Sequence, residues 1–203
     1  GAGDYHHAFV SAEGRLLTCG MEHDEDDPIG VLGHGEEDIV VPVPTVVPGL
    51  AAVRVSSVSA SSNHTLALSE DGTVYSFGWG EDGRLGHGDE ENQLAPRAIE
   101  GLRGVRACAV AAGDMHSLVV GVSGAVYSFG HGGSGRLGHG DDDDQLTPTV
   151  IEALRSVRVC AVAAGGAHSL VLGAGGDVHS FGFGGFGELG HGDRAHQHTP
   201  QVI

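Results

Sequence analysis

"GEDGRLGHGDEENQLAP", residues 80–96, returns as "GSGRLGHGDDDDQLTP" at 133–148 and as "GFGELGHGDRAHQHTP" at 185–200. Aligned on LGHG, Gly86, Gly138 and Gly190 stand 52 residues apart. The strings "VYSFGWG" (74–80), "VYSFGHG" (126–132) and "VHSFGFG" (178–184) keep the same interval. An earlier copy opens the chain, where "GDYHHAFVSAEGRLLTCG" (3–20) matches "GDMHSLVVGVSGAVYSFG" (113–130). Its own LGHG follows at 32–35, after an insertion around "MEHDEDDPI", and its first period is 58 residues.

A period of this size marks stacked supersecondary units, and the pattern inside each decides between helix and strand. The runs "VRACAVAA", "HSLVVG", "AVYSFG" and "TPTVIEAL" are short and β-rich, and glycine, proline and acidic turns separate them. Asp71-Gly72 between two such runs is a tight hairpin signal, because glycine accepts the positive φ of that turn. No segment offers ten residues of helical period. Four short strands per unit predict an all-β propeller of four-stranded antiparallel blades, with blades at approximately 1–53, 54–104, 105–156 and 157–203 of a single repeat domain. The Ala-, Gly- and Val-rich strands suit the crowded axis, and Phe77, Phe129, Phe181, Tyr75 and Tyr127 suit the wider outer space.

Composition bounds the partners. Against 10 basic residues stand 27 acidic ones, a net charge of -17, which repels nucleic acid and anionic membranes and favours basic proteins. Every basic residue is arginine, so no lysine-rich import signal or polybasic anchor is present. Cys19, Cys108 and Cys160 form no CxxC pair; they read as core thiols of a reducing compartment, the cytoplasm or the nucleus. The opening "GAGDYHHAFV" lacks a signal peptide's charge and apolar stretch, and glycine, histidine and serine break every uncharged run, so no membrane span is expected.

The ordered series G-x-x-H-[ST]-L-x-L, G-x-V-Y-S-F-G, G-x-L-G-H-G-D and a proline-containing strand resembles the regulator of chromosome condensation repeat, over residues 3–203. The resemblance implies a seven-bladed β-propeller, of which about four blades are present. The VRxxxV-type strand occurs at 54–60, 105–112 and 157–164 only, so one strand is missing at the seam. Open sheet edges and uncovered apolar faces associate, so these residues alone are expected to aggregate or pair.

The repeated histidines His34, His87, His139 and His191 do not read as one metal site, because neighbouring sheets lie about 10 Å apart and zinc bonds are about 2 Å. They read as turn-stabilising imidazoles bonded to nearby backbone. His6, His64, His116 and His168, each opening an apolar strand, read as satisfied core histidines. Ser117 and Ser169 follow a histidine, yet the same dipeptide in successive blades marks architecture and not a nucleophile. "GHGGSG" (130–135) lacks the lysine and the helix of a phosphate loop. No catalytic, cofactor-binding or metal-binding residue is expected.

The acidic loops carry the surface signal: Glu36, Glu37 and Asp38; Asp89, Glu90 and Glu91; Asp141, Asp142, Asp143 and Asp144; Asp193; and, in the insertion, Asp24, Glu25, Asp26 and Asp27. Equivalent loops of a propeller share one rim, whose field would steer a basic protein partner. Family members that sense ultraviolet-B light carry a tryptophan-rich GWRHT motif, where this chain has "SSNHT" (61–65), "GDMHS" (113–117) and "GGAHS" (165–169), and Trp79 is its single tryptophan. The founding member promotes nucleotide exchange on the small GTPase Ran with a whole propeller face and a protruding wedge, for which the insertion at 21–29 is short. The reading is therefore a non-enzymatic protein-interaction scaffold, with guanine nucleotide exchange on a Ran-like GTPase as the alternative.

Overall fold

The computed structural model describes residues 1–22, 29–35 and 40–203, which form fifteen strands in four antiparallel sheets. The first sheet holds β1 (His6–Val10), β2 (Leu16–Met21) and β3 (Val40–Val46). The second is the meander β4 (Val55–Ala60), β5 (His64–Ser69), β6 (Val74–Gly78) and β7 (Gln93–Ala98). The third is β8 (Ala107–Ala112), β9 (His116–Gly121), β10 (Val126–Gly130) and β11 (Gln145–Val150). The fourth is β12 (Val159–Ala164), β13 (His168–Gly173), β14 (Val178–Gly182) and β15 (Gln197–Val202). The strand missing from the sequence pattern is thus the innermost of the first sheet, where only an isolated bridge joins Ala2 to His7. Among the described residues no helix is long and apolar enough to cross a membrane.

Strands β4, β8 and β12 of successive sheets pack on one another, which places the small residues on the inside as their composition predicts. The cysteines are a correction. Cys108 and Cys160 are exposed and Cys19 is half-buried, and all three are free. In both inner strands the register slips across the cysteine, from Ala107 to Ala109 and from Val159 to Ala161. The extra residue of such a bulge leaves the ladder and points its side chain away from the packed face.

The apolar core is a series of layers between sheets. Leu66, Leu68, Val74, Ile99 and Leu102 of the second sheet unit meet Ala107, Ala112, Val119 and Phe129 of the third. Leu118, Val120, Val126, Ile151 and Leu154 meet Val159, Val171 and Phe181 in the same way. The LGHG glycine explains itself here: a Cβ on Gly86 would stand 2.8 Å from the Phe129 ring, and Gly33 and Gly138 sit as close to Phe77 and Phe181. The corresponding face of the fourth sheet is uncovered. Leu172 is 38% exposed and Val178 36%, where their equivalents Leu68 and Val74 are 3% and 2% exposed.

Candidate functional site: an acidic rim stapled by histidines

Each meander has two ends, and charge divides between them. At one end lie the hairpins such as Glu70–Thr73 and the links from each outer strand to the next inner one. Arg54, Arg103 and Arg155 sit there in ion pairs with Glu70, Glu100 and Glu152. At the other end lie the long loops from β6 to β7, β10 to β11 and β14 to β15, with Asp89, Glu90, Glu91, Asp141–Asp144 and Asp193. The arginines of these loops are Arg84 and Arg136, both buried, and the exposed Arg194. Unbalanced negative charge therefore gathers on this end. Neighbouring loops join into one rim, since the Gly88 N–H donates to Leu146 O at 2.9 Å and the Gly140 N–H to His198 O at 2.9 Å.

The rim's carboxylates do different work. Asp89, Asp141 and Asp193 each accept the N–H two residues on, from Glu91, Asp143 and Ala195, which closes the turn after LGHG. Asp144 accepts the Gly132 N–H at 2.7 Å, as Asn92 accepts that of Gly80. Asp142 accepts the Gly135 N–H and lies 3.1 Å from His198 Nε2. Glu90, Glu91 and Asp143 have exposed side chains with no such tie. Asp24, Glu25, Asp26, Asp27, Glu36, Glu37 and Asp38 lie outside the described residues. Glu22 anchors the stem of that insertion: it is buried and accepts the N–H groups of Gly30, Val31 and Leu32 at 2.8–3.1 Å.

Two families of histidine–hydroxyl pairs hold the rim. His34, His87, His139 and His191 bond through Nε2 to Thr18, Ser76, Ser128 and Ser180 of their own sheets at 2.8–2.9 Å. Their partner is thus a strand hydroxyl, where direct bonding to backbone was expected. The hydroxyl links on to backbone, as Ser76 Oγ donates to Leu85 O at 2.7 Å. The second family crosses between sheets: His6 to Thr65 at 3.1 Å, His64 to Ser117 at 2.8 Å and His116 to Ser169 at 2.9 Å.

A buried serine 2.8 Å from an imidazole resembles a nucleophile and its base, but the proton count opposes that reading. The single Ser117 proton goes to Arg84 O at 2.8 Å, and the Ser169 proton to Arg136 O at 2.8 Å. The imidazole Nε2–H must then be the donor, the reverse of general-base geometry. Burial is the largest cause that pushes His6 down to about 4 and His116 to about 3, and it holds His64 well below the ordinary 6.5. These imidazoles are neutral staples between sheets.

Arg84 and Arg136 recur 52 residues apart in GRLGHG, but a repeated arginine in a glycine-rich loop does not disclose that its guanidinium is buried against the next sheet. Arg84 is fully buried, stacks 4.6 Å over Trp79 and donates to Asp82 at 3.0 Å and to Asp114 O of the next sheet at 3.3 Å. Arg136 repeats the last contact with Gly166 O at 3.4 Å.

With this geometry in place, comparison with known proteins gives a consistent picture. The model of the regulator of chromosome condensation (RCC1) repeat matches residues 13–68, 71–120, 123–172 and 175–203, and a second RCC1 repeat model matches 55–84. The chain is 39% identical over 188 residues to the ultraviolet-B receptor UVR8 of Arabidopsis thaliana, covering 92% of this chain and 42% of that protein. It is 42% identical over 187 residues to human E3 ubiquitin-protein ligase HERC2, covering 90% of this chain and 4% of that one. Among solved structures, human WBSCR16 superposes with a TM-score of 0.87 at 26% identity, over 100% of this chain and 51% of that one. Yeast RCC1 (Prp20), solved with Kap60, superposes at 0.83 and 23% identity, over 99% of this chain and 47% of that one. The chain spans about half or less of the length of these relatives.

Proposed function

Because the chain belongs to the family of regulator of chromosome condensation (RCC1) repeat proteins, we propose that its four blades form a protein-binding surface whose acidic rim takes a basic face of the partner. The carrying observation is the uneven distribution of charge. The hairpin end offsets its arginines with Glu70, Glu100 and Glu152, while the loop end buries two of its arginines and leaves Glu90, Glu91 and Asp143 exposed and untied. A rim of one sign concentrates field lines, raises the encounter rate of an oppositely charged protein and weakens with salt. Asp89, Asp141, Asp144 and Asp193 serve this surface indirectly, by fixing the loops that present the free carboxylates. The loop carboxylates at 24–27 and 36–38 extend the same sequence pattern.

The test is a triple variant, Glu90→Lys, Glu91→Lys and Asp143→Lys, which spares the turn-closing aspartates. Immobilised wild-type protein should retain basic proteins from a cell lysate at low salt, and the variant should lose them with its melting temperature unchanged. Equal retention by the two proteins would remove the rim from the account. Faster release of labelled GDP from Ran would instead favour the exchange-factor reading.

A further inference from the structure

One cluster of donor atoms stands apart from the free carboxylates of the rim. Asp82, in the loop after β6, reaches across the sheet boundary to His131, just after β10, and to Asp144, just before β11. Each offers a ligand atom, and the three atoms lie within 4.8 Å of one another.

The repeat supplies an internal control. At the position of His131 the neighbouring blades carry Trp79 and Phe183; at Asp144 they carry Asn92 and His196; at Asp82 the later ones carry Ser134 and Phe186. The fold therefore needs an aromatic ring at 131 but no nitrogen there, and it needs no carboxylate at 82. Buried polar atoms are normally paired, yet His131 Nδ1 is buried without a hydrogen-bond partner, as are His6 Nδ1 and His116 Nδ1; among the described residues, His131 is the one of the three that belongs to a cluster of three donor residues. Both carboxylates are oriented through one oxygen. The Arg84 guanidinium donates to Asp82 Oδ2 at 3.0 Å and the Gly132 N–H to Asp144 Oδ1 at 2.7 Å, which leaves each a second oxygen and is how outer contacts aim metal ligands. Two guanidiniums, Arg84 on Asp82 and Arg136 near both carboxylates, offset their charge, so the site offers a cation its donor geometry and not a surplus of negative charge.

We propose that Asp82, His131 and Asp144 bind a divalent transition-metal cation, zinc foremost, between the second and third blades. One imidazole and two carboxylates suit zinc, whereas calcium takes about six to eight oxygens. Tetrahedral zinc with bonds of about 2 Å sets its donors about 3.3 Å apart, so the three atoms must close by up to about 1.5 Å from their present spacing. Water completes the shell on the exposed side of Asp144. The cation would join two blades where Arg84 already does.

The variants for the test come from the neighbouring blades: His131→Phe and Asp144→Asn put at each site a residue that the same fold already carries there. Chelator-treated protein titrated with zinc sulfate by calorimetry should take up one equivalent at this site and melt at a higher temperature. Both variants should melt like the metal-free parent in chelator and lose that equivalent. No zinc heat in the parent, or an unchanged isotherm in His131→Phe, overturns the site. Titration of the parent with cobalt(II), followed through the ring-proton resonances of His131, needs no variant: paramagnetic shifts support the site and unshifted resonances overturn it.

Discussion

At the scale of single residues, the histidines decide how this protein responds to acid. An unfolded histidine takes its proton near 6.5, whereas burial holds folded His6 to about 4 and His116 to about 3. Between those values the unfolded chain binds more protons, so stability is complete above about pH 6.5 and falls as pH drops through the window. For His116, whose folded environment is fully buried, the loss from neutral pH to pH 5 is about 2 kcal/mol. Relief of the net charge of -17 works the other way, but it begins mainly where carboxylates titrate, near about pH 4.3. Melting temperatures should therefore be level from pH 8 to 7 and decline from 6.5 to 5; a flat or rising profile in that lower range would contradict neutral staples. Sequence alone placed His6, His64 and His116 in the core, but the expectation of four satisfied core histidines needs correcting: His168, on the uncovered last sheet, is half-buried, and His6 Nδ1 and His116 Nδ1 have no hydrogen-bond partner. Nor did sequence disclose that His64 and His116 donate to hydroxyls of the following sheet, because that partner lies 53 residues away.

At the scale of elements, the LGHG loop and the YSFG strand form one joint. The loop's first glycine receives the phenylalanine of the next blade, and the strand's serine holds the loop's histidine. Gly86→Ala combines two costs, a left-handed φ of 76° and a Cβ 2.8 Å from the Phe129 ring. Gly104→Ala carries only the first, with φ 85° and open space around it. Gly104→Ala should lose about 1–2 kcal/mol and Gly86→Ala a further 1–3 kcal/mol, roughly, in denaturant titrations. Equal losses would mean that the ring does not rest on that glycine. Strand order and hairpins were legible because period and turn chemistry are local. The bulges that turn Cys108 and Cys160 outward were not, since an extra residue in a ladder depends on the partner strand.

At the scale of the whole molecule, four like bodies stand in a row, and the fold class and the absent inner strand could both be read by counting motifs. The charge rim was legible only in part. The tally of acids showed where they cluster, but not which ones close turns, because an aspartate that caps its own loop and one that faces a partner look alike in a sequence. The layered core has a mechanical consequence. Each apolar layer joins only two neighbours, so tension on the two ends meets the blades in series, each resisting with one set of staples. Extension at constant speed should give a sawtooth whose steps lengthen the chain by about 190 Å, the reach of one 52-residue repeat. A single large rupture would mean that the layers share the load, and the protein would then behave as one solid where its sequence describes a hinged chain of like links.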